Sequence, residues 1–281
     1  MVKTKVSDAA SAGKAKTKAK KKTRKPIHIA APKMKSRRRA RQVTTDFHRL
    51  THELDRVAKD PSLDAQQKKA KTAELNKKLE ELGGREAYQD ASILSTSFHR
   101  TSKWVFQLLT KFELRPKAKQ PPLRVLEVGA INTQLLSCPW LDVRAIDLVS
   151  RNEKIEQRDF FTITPEGNMD VVVSSMVLNC VPDPMSRGKM LQMYYEHLKP
   201  SGHLFLMIPL LCLRHSKFMT YDRFCDILRA VGFEIREKKD SPKVSFFCLQ
   251  RASQAAPDTT KRFPQKLLNR GEKFNDFSVV L

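Results

Sequence analysis

The sequence predicts an α/β fold, a parallel sheet with helices on both faces, preceded by an N-terminal helical region and a disordered basic tail. Two observations carry this. From residue 119 onward, short runs rich in valine and leucine alternate with stretches of helical spacing, the pattern of crossover connections between parallel strands. The first run ends in Glu127-Val128-Gly129, and an acid, Asp147, stands near the end of the second run, twenty residues after Glu127. That spacing marks a nucleotide site at the carboxyl edge of such a sheet.

The elements follow in order. Residues 44–82 read as a helical hairpin: Thr44 or Thr45 can cap the start, and Phe47, Leu50, Leu54 and Val57 recur at helical spacing. Asp60-Pro61-Ser62 breaks the chain, Leu75, Leu79 and Leu82 form a second, narrow stripe, and Gly83-Gly84 ends it. A third helix is expected from about Ser97 to Leu114, with Trp104, Val105, Leu108 and Leu109 inward. After a Lys- and Pro-rich linker come strands at 123–129, 143–149 and 170–174, a helix at 186–198, a strand at 203–209, a helix at 221–231 and a closing strand pair at 233–236 and 244–250. The expected domains are a tail at 1–43, a helical region at 44–118, the α/β domain at 119–251 and a loosely patterned polar tail at 252–281.

The chain has 281 residues and a formal charge of +23, and the charge is uneven. Residues 1–41 hold sixteen Lys or Arg against the single acid Asp8, a net of +15. Such asymmetry attracts a polyanion, most commonly nucleic acid. The segment has no apolar periodicity and is expected to be disordered. Its clusters Lys20–Lys25 and Arg37–Arg41 are similar to nuclear or nucleolar localisation signals. Five cysteines, an odd number with no CxxC pair, argue for a reducing compartment and against a zinc site or disulfide framework. The longest near-continuous apolar run, Leu204–Leu213, is short of the roughly 20 residues a membrane span requires. A soluble intracellular protein is expected, with no metal.

The nucleotide site is read from five residues. Gly129 lets the backbone approach a ligand closely, and Asp147 can accept from both hydroxyls of a ribose. Ala130, Ile131, Asn132 and Thr133 follow Gly129, so the GxGxxG needed to cradle a pyrophosphate is missing. The turn suits a cofactor without phosphates, S-adenosylmethionine rather than NAD. Glu127 supplies the acid before the glycine. Asp159 can accept from an adenine amino group, with Phe160 lining the base; alternatively the pair is a loop acid beside a core ring. Asn179 and Asp183 lie on the loop after the Asp170–Ser174 strand, where ligands bind in open α/β sheets; alternatively Asp183 caps the following helix.

The segments Leu123–Ala130, Arg144–Val149, Gln157–Phe160, Asp170–Pro184, Leu198–Leu210 and Val231–Glu234, in this order, resemble a Rossmann-like class I S-adenosylmethionine-dependent methyltransferase. More closely, Val177–Pro184, Arg187–Leu191 and His197–Pro200 leading into Leu204–Pro209 resemble the fungal nucleolar family that methylates N1 of an adenine in large-subunit ribosomal RNA. The resemblance covers about residues 85–250. It implies S-adenosylmethionine as cofactor, with Gly129 and Asp147 as contacts, and ribosomal RNA or a pre-ribosomal particle as partner. A nucleolar location and a monomeric form are expected, with no membrane. Adenine N1 has a free lone pair, so no strong general base is required, and catalysis rests on positioning and desolvation. Asn179 and Asp183 are the expected catalytic residues, contacting the ring edge and the exocyclic amine. That family also has animal relatives regarded as S-adenosylmethionine sensors, so the alternatives are a non-catalytic sensor of the same fold or a methyltransferase of another nuclear RNA or protein.

Overall fold

A computed structural model describes residues 34–96, 101–150, 152–253, 257–258, 260–271 and 273–281. The expectations for residues 1–33, and for the first residues of the helix expected at 97, lie outside the described residues. Four helices come first: α1 (Arg37–Lys59), α2 (Ala65–Glu81), α3 (Gly84–Thr96) and α4 (Thr101–Lys111). Ser36 caps α1 by accepting from the Arg39 N–H. Asp64 and Gln67 close a reciprocal capping box on α2.

The start of α1 and the presence of α3 differ from expectation. The first helix starts at Arg37, seven residues before Thr44, so part of the expected basic tail is helical. Arginine is a good helix former, and Ala40 and Val43 bury against Ala91 and Leu94. Those two partners sit on α3, which the sequence reading does not contain; its short apolar stripe follows a Gly-Gly pair and shows no pattern of its own.

The sheet comprises β1 (Leu123–Val128), β2 (Leu141–Asp147), β3 (Glu156–Gln157), β4 (Met169–Ser175), β5 (Leu198–Pro209), β6 (Phe233–Asp240) and β7 (Val244–Arg251). Their order is β3-β2-β1-β4-β5-β7-β6. All neighbours run parallel except β7, antiparallel to both β5 and β6. Helices α5 (Pro184–His197), α6 (Leu210–Arg214) and α7 (Tyr221–Ala230) complete the fold. Residues of β1, β4 and β5 alternate between two cores. Leu126, Val172, Leu204 and Leu206 face α5 and α7, while Val125, Val171, Val173 and Phe205 face Trp104, Val105, Leu108 and Leu109 of α4. Helices therefore cover both faces, and strand order reverses between β1 and β4, where ligands bind in open α/β sheets. Among the described residues no helix is long and apolar enough to cross a membrane.

The end of the segment expected to be a loose tail packs into the domain. Phe277, Ser278 and Val279 are buried, and Phe277 and Val279 belong to the same core as α5 and α7. The fully buried Arg187 of α5 donates to the carbonyls of Val181 (2.8 Å), Pro182 (3.2 Å) and Ser278 (2.7 Å). Its guanidinium stacks 4.8 Å from the Phe277 ring centre. A Cβ on Gly188 would overlap the Val280 carbonyl, so that glycine lets the segment lie against α5. Among the described residues the strap joins none of the seven strands, bridging only from Asn275 to Ser216, and it carries neither the period of two nor that of 3.6, which is why its pattern reads as loose.

Candidate active site

The chain from Gly129 to Trp140, between β1 and β2, forms turns and no helix. A pyrophosphate ordinarily anchors on the helix N-terminus that follows the first strand, and that anchor is missing here. Gly129 has φ +73° and its N–H, like that of Ala130, donates to the Ile146 carbonyl at 2.9 Å. A Cβ at this position would overlap Val177 Cγ2. The glycine is thus required by the chain's own packing as well as by the turn.

Asp147 ends β2; its Oδ1 accepts from the Val149 N–H at 2.8 Å, and burial raises its carboxyl above the usual range. Asp159 caps the 3₁₀ turn Phe160–Thr162, accepting from Phe161 N–H at 3.0 Å. Phe160 is buried against Tyr194 and His197, with ring centres 5.0 and 5.3 Å away. Asn179 lies on the 3₁₀ turn Leu178–Cys180 that follows β4. Its Nδ2 reaches Cys180 Sγ at 3.4 Å, while its Oδ1 is buried with no partner among the described residues. Buried acceptors are nearly always satisfied, so Oδ1 awaits a donor.

Gly129, Asp147, Asp159, Phe160 and Asn179 share the wall of one cavity of about 770 Å³. Two expected site residues are not on that wall. Asp183 accepts from Ser186 N–H and Oγ–H, each at 2.8 Å, and pairs with Lys59 of α1 at 2.8 Å. Burial raises its carboxyl, but Lys59 and Ser186 overcome this and hold it at about 2. It is the cap of α5, the alternative the sequence left open, with its oxygens engaged by Ser186 and Lys59. Asp183→Ala is expected to lower stability by about 1 kcal/mol, read by thermal melting, and to leave cofactor affinity unchanged by calorimetry.

Glu127 also lies off the cavity wall. Its Oε2 is buried without a partner among the described residues, and burial pushes its carboxyl up to about 8. An acid raised in the folded state contributes stability in full below its unfolded value and loses it as pH rises through the folded one. In the absence of ligand, Glu127→Gln should therefore melt at the same temperature as the parent chain below the ordinary glutamate range, at pH ~4, and at a higher temperature at pH ~8. Equal melting at both values would show a carboxylate already satisfied.

The opposite wall comes from α1 and α3, and sequence reasoning missed it. Phe47, His48, Arg85, Tyr88 and Gln89 line the same cavity. Gln89 Nε2 donates to the Val149 carbonyl, just beyond Asp147, while its Oε1 is buried and unpartnered among the described residues. The Tyr88 hydroxyl lies 2.9 Å from Cys180 Sγ, and His48 Nε2 lies 3.9 Å from the same sulfur. Burial, with His52 and Arg187 nearby, lowers His48 to about 4, and burial raises the Cys180 thiol to about 11. Both are neutral at physiological pH. Phe47 stood in the sequence only as one member of an apolar stripe, and Tyr88 carried no signal there.

An acid at the end of β2, beneath a glycine turn and at the switch point of a sheet ordered β3-β2-β1-β4-β5-β7-β6, defines the class I methyltransferase architecture. The particular family follows from the sequence: a family model described as 25S rRNA (adenine(2142)-N(1))-methyltransferase, Bmt2, matches residues 73–279, and the chain belongs to that family. A 25S rRNA (adenine(2142)-N(1))-methyltransferase of Saccharomyces cerevisiae is 28% identical over 214 residues, which are 72% of this chain and 61% of that protein. A 25S rRNA adenine-N(1) methyltransferase of Schizosaccharomyces pombe is 29% identical over 185 residues, 63% of this chain and 67% of that protein. The matched region thus spans about three fifths of the first relative's length and two thirds of the second's. Among solved structures, the Burkholderia thailandensis 1,6-didemethyltoxoflavin-N1-methyltransferase aligns at 16% identity with a TM-score of 0.49, over 69% of this chain and 93% of that one.

Proposed function

We propose that this chain is an S-adenosylmethionine-dependent methyltransferase that methylates N1 of an adenine in large-subunit ribosomal RNA. The observation that carries the reading is the family match over residues 73–279, which contains Gly129, Asp147, Asp159, Phe160 and Asn179. These residues fit the cofactor: Asp147 would accept from the ribose diol and Asp159 from the adenine amine beside Phe160, and the helix-free turn at Gly129 would serve a ligand without phosphates. When bound, S-adenosylmethionine would supply an electrophilic methyl on a sulfonium, which an adenine N1 lone pair would take with no proton removed beforehand, the S–CH3 bond breaking with its electron pair left on the sulfur of S-adenosylhomocysteine.

The chain's own contribution is positioning and exclusion of water. Asn179 Oδ1, which has no partner among the described residues, accepts from the exocyclic amine of the target base and fixes its edge. His48 and Cys180, both neutral, add no charge to compete with the approaching ring nitrogen. A geometry set in advance supplies much of the barrier reduction in such reactions, and a base must leave its stack to reach it. The basic N-terminal sequence fits binding in a nucleolar pre-ribosomal particle, with the protein as a monomer.

The test is to map N1-methyladenine in large-subunit ribosomal RNA from cells with and without this protein, and to restore the gene with the Asn179→Ala variant. Loss of one modified adenine that only the parent gene restores is the expected result. An unchanged modification map would remove the methylation reading.

A further inference from the structure

Helices α1 and α3 bring three aromatic rings to the turn that carries Asn179. Phe47 and Tyr88 stack with centres 4.5 Å apart and planes inclined by 23°. His48 meets Tyr88 edge-on at 5.3 Å. The cluster touches the Asn179 turn through Cys180, at 2.9 Å from the Tyr88 hydroxyl. All three rings line the cavity and none is fully buried. They are not needed to hold α1 to α3, because the two helices have their own apolar seam of Ala40, Val43, Ala91 and Leu94. Arg41 and Arg85, both exposed, stand on the same wall.

We infer that this wall is the seat of the target base: Phe47 and Tyr88 offer the stacking surface for an unpaired adenine whose edge Asn179 holds, and Arg41 and Arg85 take the flanking phosphates. The inference rests on the proposed RNA methylation and extends it to residues of the N-terminal helices. Sequence-specific RNA recognition relies on splayed bases stacked on aromatic rings, and a groove of positive charge guides the backbone around them. Phe47 and His48 lie before residue 73, outside the stretch matched by the family model; Tyr88 lies inside it.

The full chain with S-adenosylhomocysteine is titrated into a short single-stranded RNA carrying one 2-aminopurine among pyrimidines, and stacking is read as quenching of its fluorescence. Quenching is expected with the parent chain and with Tyr88→Phe, which keeps the ring. It should be lost in Phe47→Leu/Tyr88→Leu, with RNA affinity lower by roughly 10-fold or more and S-adenosylhomocysteine affinity within about three-fold by calorimetry. If the double variant does not fold, Phe47→Leu alone serves the same comparison. Equal quenching in the ring-free variant, or joint loss of S-adenosylhomocysteine binding in a folded variant, overturns the inference. Quenching by a parent chain that methylates no ribosomal RNA supports the base seat and removes the methylation reading. Methylation without quenching removes the base seat and retains that reading.

Discussion

Gly129→Arg is expected to bring S-adenosylmethionine binding below detection while the protein stays folded. Two effects combine at this position. The backbone sits at φ +73°, which costs a non-glycine residue of order 1–3 kcal/mol, and a Cβ overlaps Val177 Cγ2. Gly129→Ala isolates these terms: it should lower the melting temperature by roughly 2–4 °C for each kcal/mol lost and weaken binding only through displacement of the turn. Arginine adds a long cationic side chain to the cavity that Gly129 and Asp147 share, against a ligand that is itself cationic at sulfur. Asp147→Ala is the milder companion, since leaving ribose hydroxyls unpaired costs about 1–3 kcal/mol. Calorimetry on variants whose circular dichroism matches the parent measures all three. Full affinity in a folded Gly129→Arg protein would move the cofactor to another site.

The second large effect concerns turnover. Asn179→Ala should slow single-turnover methylation by roughly one to three orders of magnitude with cofactor affinity within a few-fold of the parent. Asn179 Oδ1 is buried without a partner among the described residues, so its removal should cost the folded protein little and, under the proposed function, cost the bound base its anchor. Asp183→Ala, four residues along the same loop, should leave that rate near the parent value once stability is matched, because its carboxylate is engaged with Ser186 and Lys59. A pair of variants so close in sequence and so different in consequence separates base positioning from helix capping. A normal rate in Asn179→Ala would take the turn out of the mechanism.

The central strands were readable in the sequence because burial on both faces leaves continuous apolar runs, as in Val171–Val173. The closing antiparallel pair was readable too, although β6 extends to Asp240 through exposed charged residues that carry no apolar signal. The start of β5 at Leu198 rather than His203 was hidden for the same reason: Lys199, Pro200 and Ser201 are exposed. Within the site, Gly129, Asp147, Asp159, Phe160 and Asn179 lie at strand ends or just beyond them, where spacing along the chain translates directly into position in space. Asp183 occupies an equally suggestive place, but a carboxylate before Pro184 also suits a helix cap, and side-chain partners decide between the two. The wall from α1 and α3 left no such trace. It depends on how two helices dock over the sheet edge, and no local period encodes that docking.

Arg187 ties together pieces of chain far apart in sequence. One guanidinium holds the carbonyls of Val181 and Pro182, just after the Asn179 turn, and that of Ser278. Withdrawal of the Phe277–Val279 strap from the core breaks one of these bonds and strips the Phe277 ring from the guanidinium face. It leaves a buried charge short of partners next to the turn. A substitution at Phe277 is therefore expected to loosen the strap and the Asn179 turn together through their shared guanidinium, although Phe277 is not on the cavity wall.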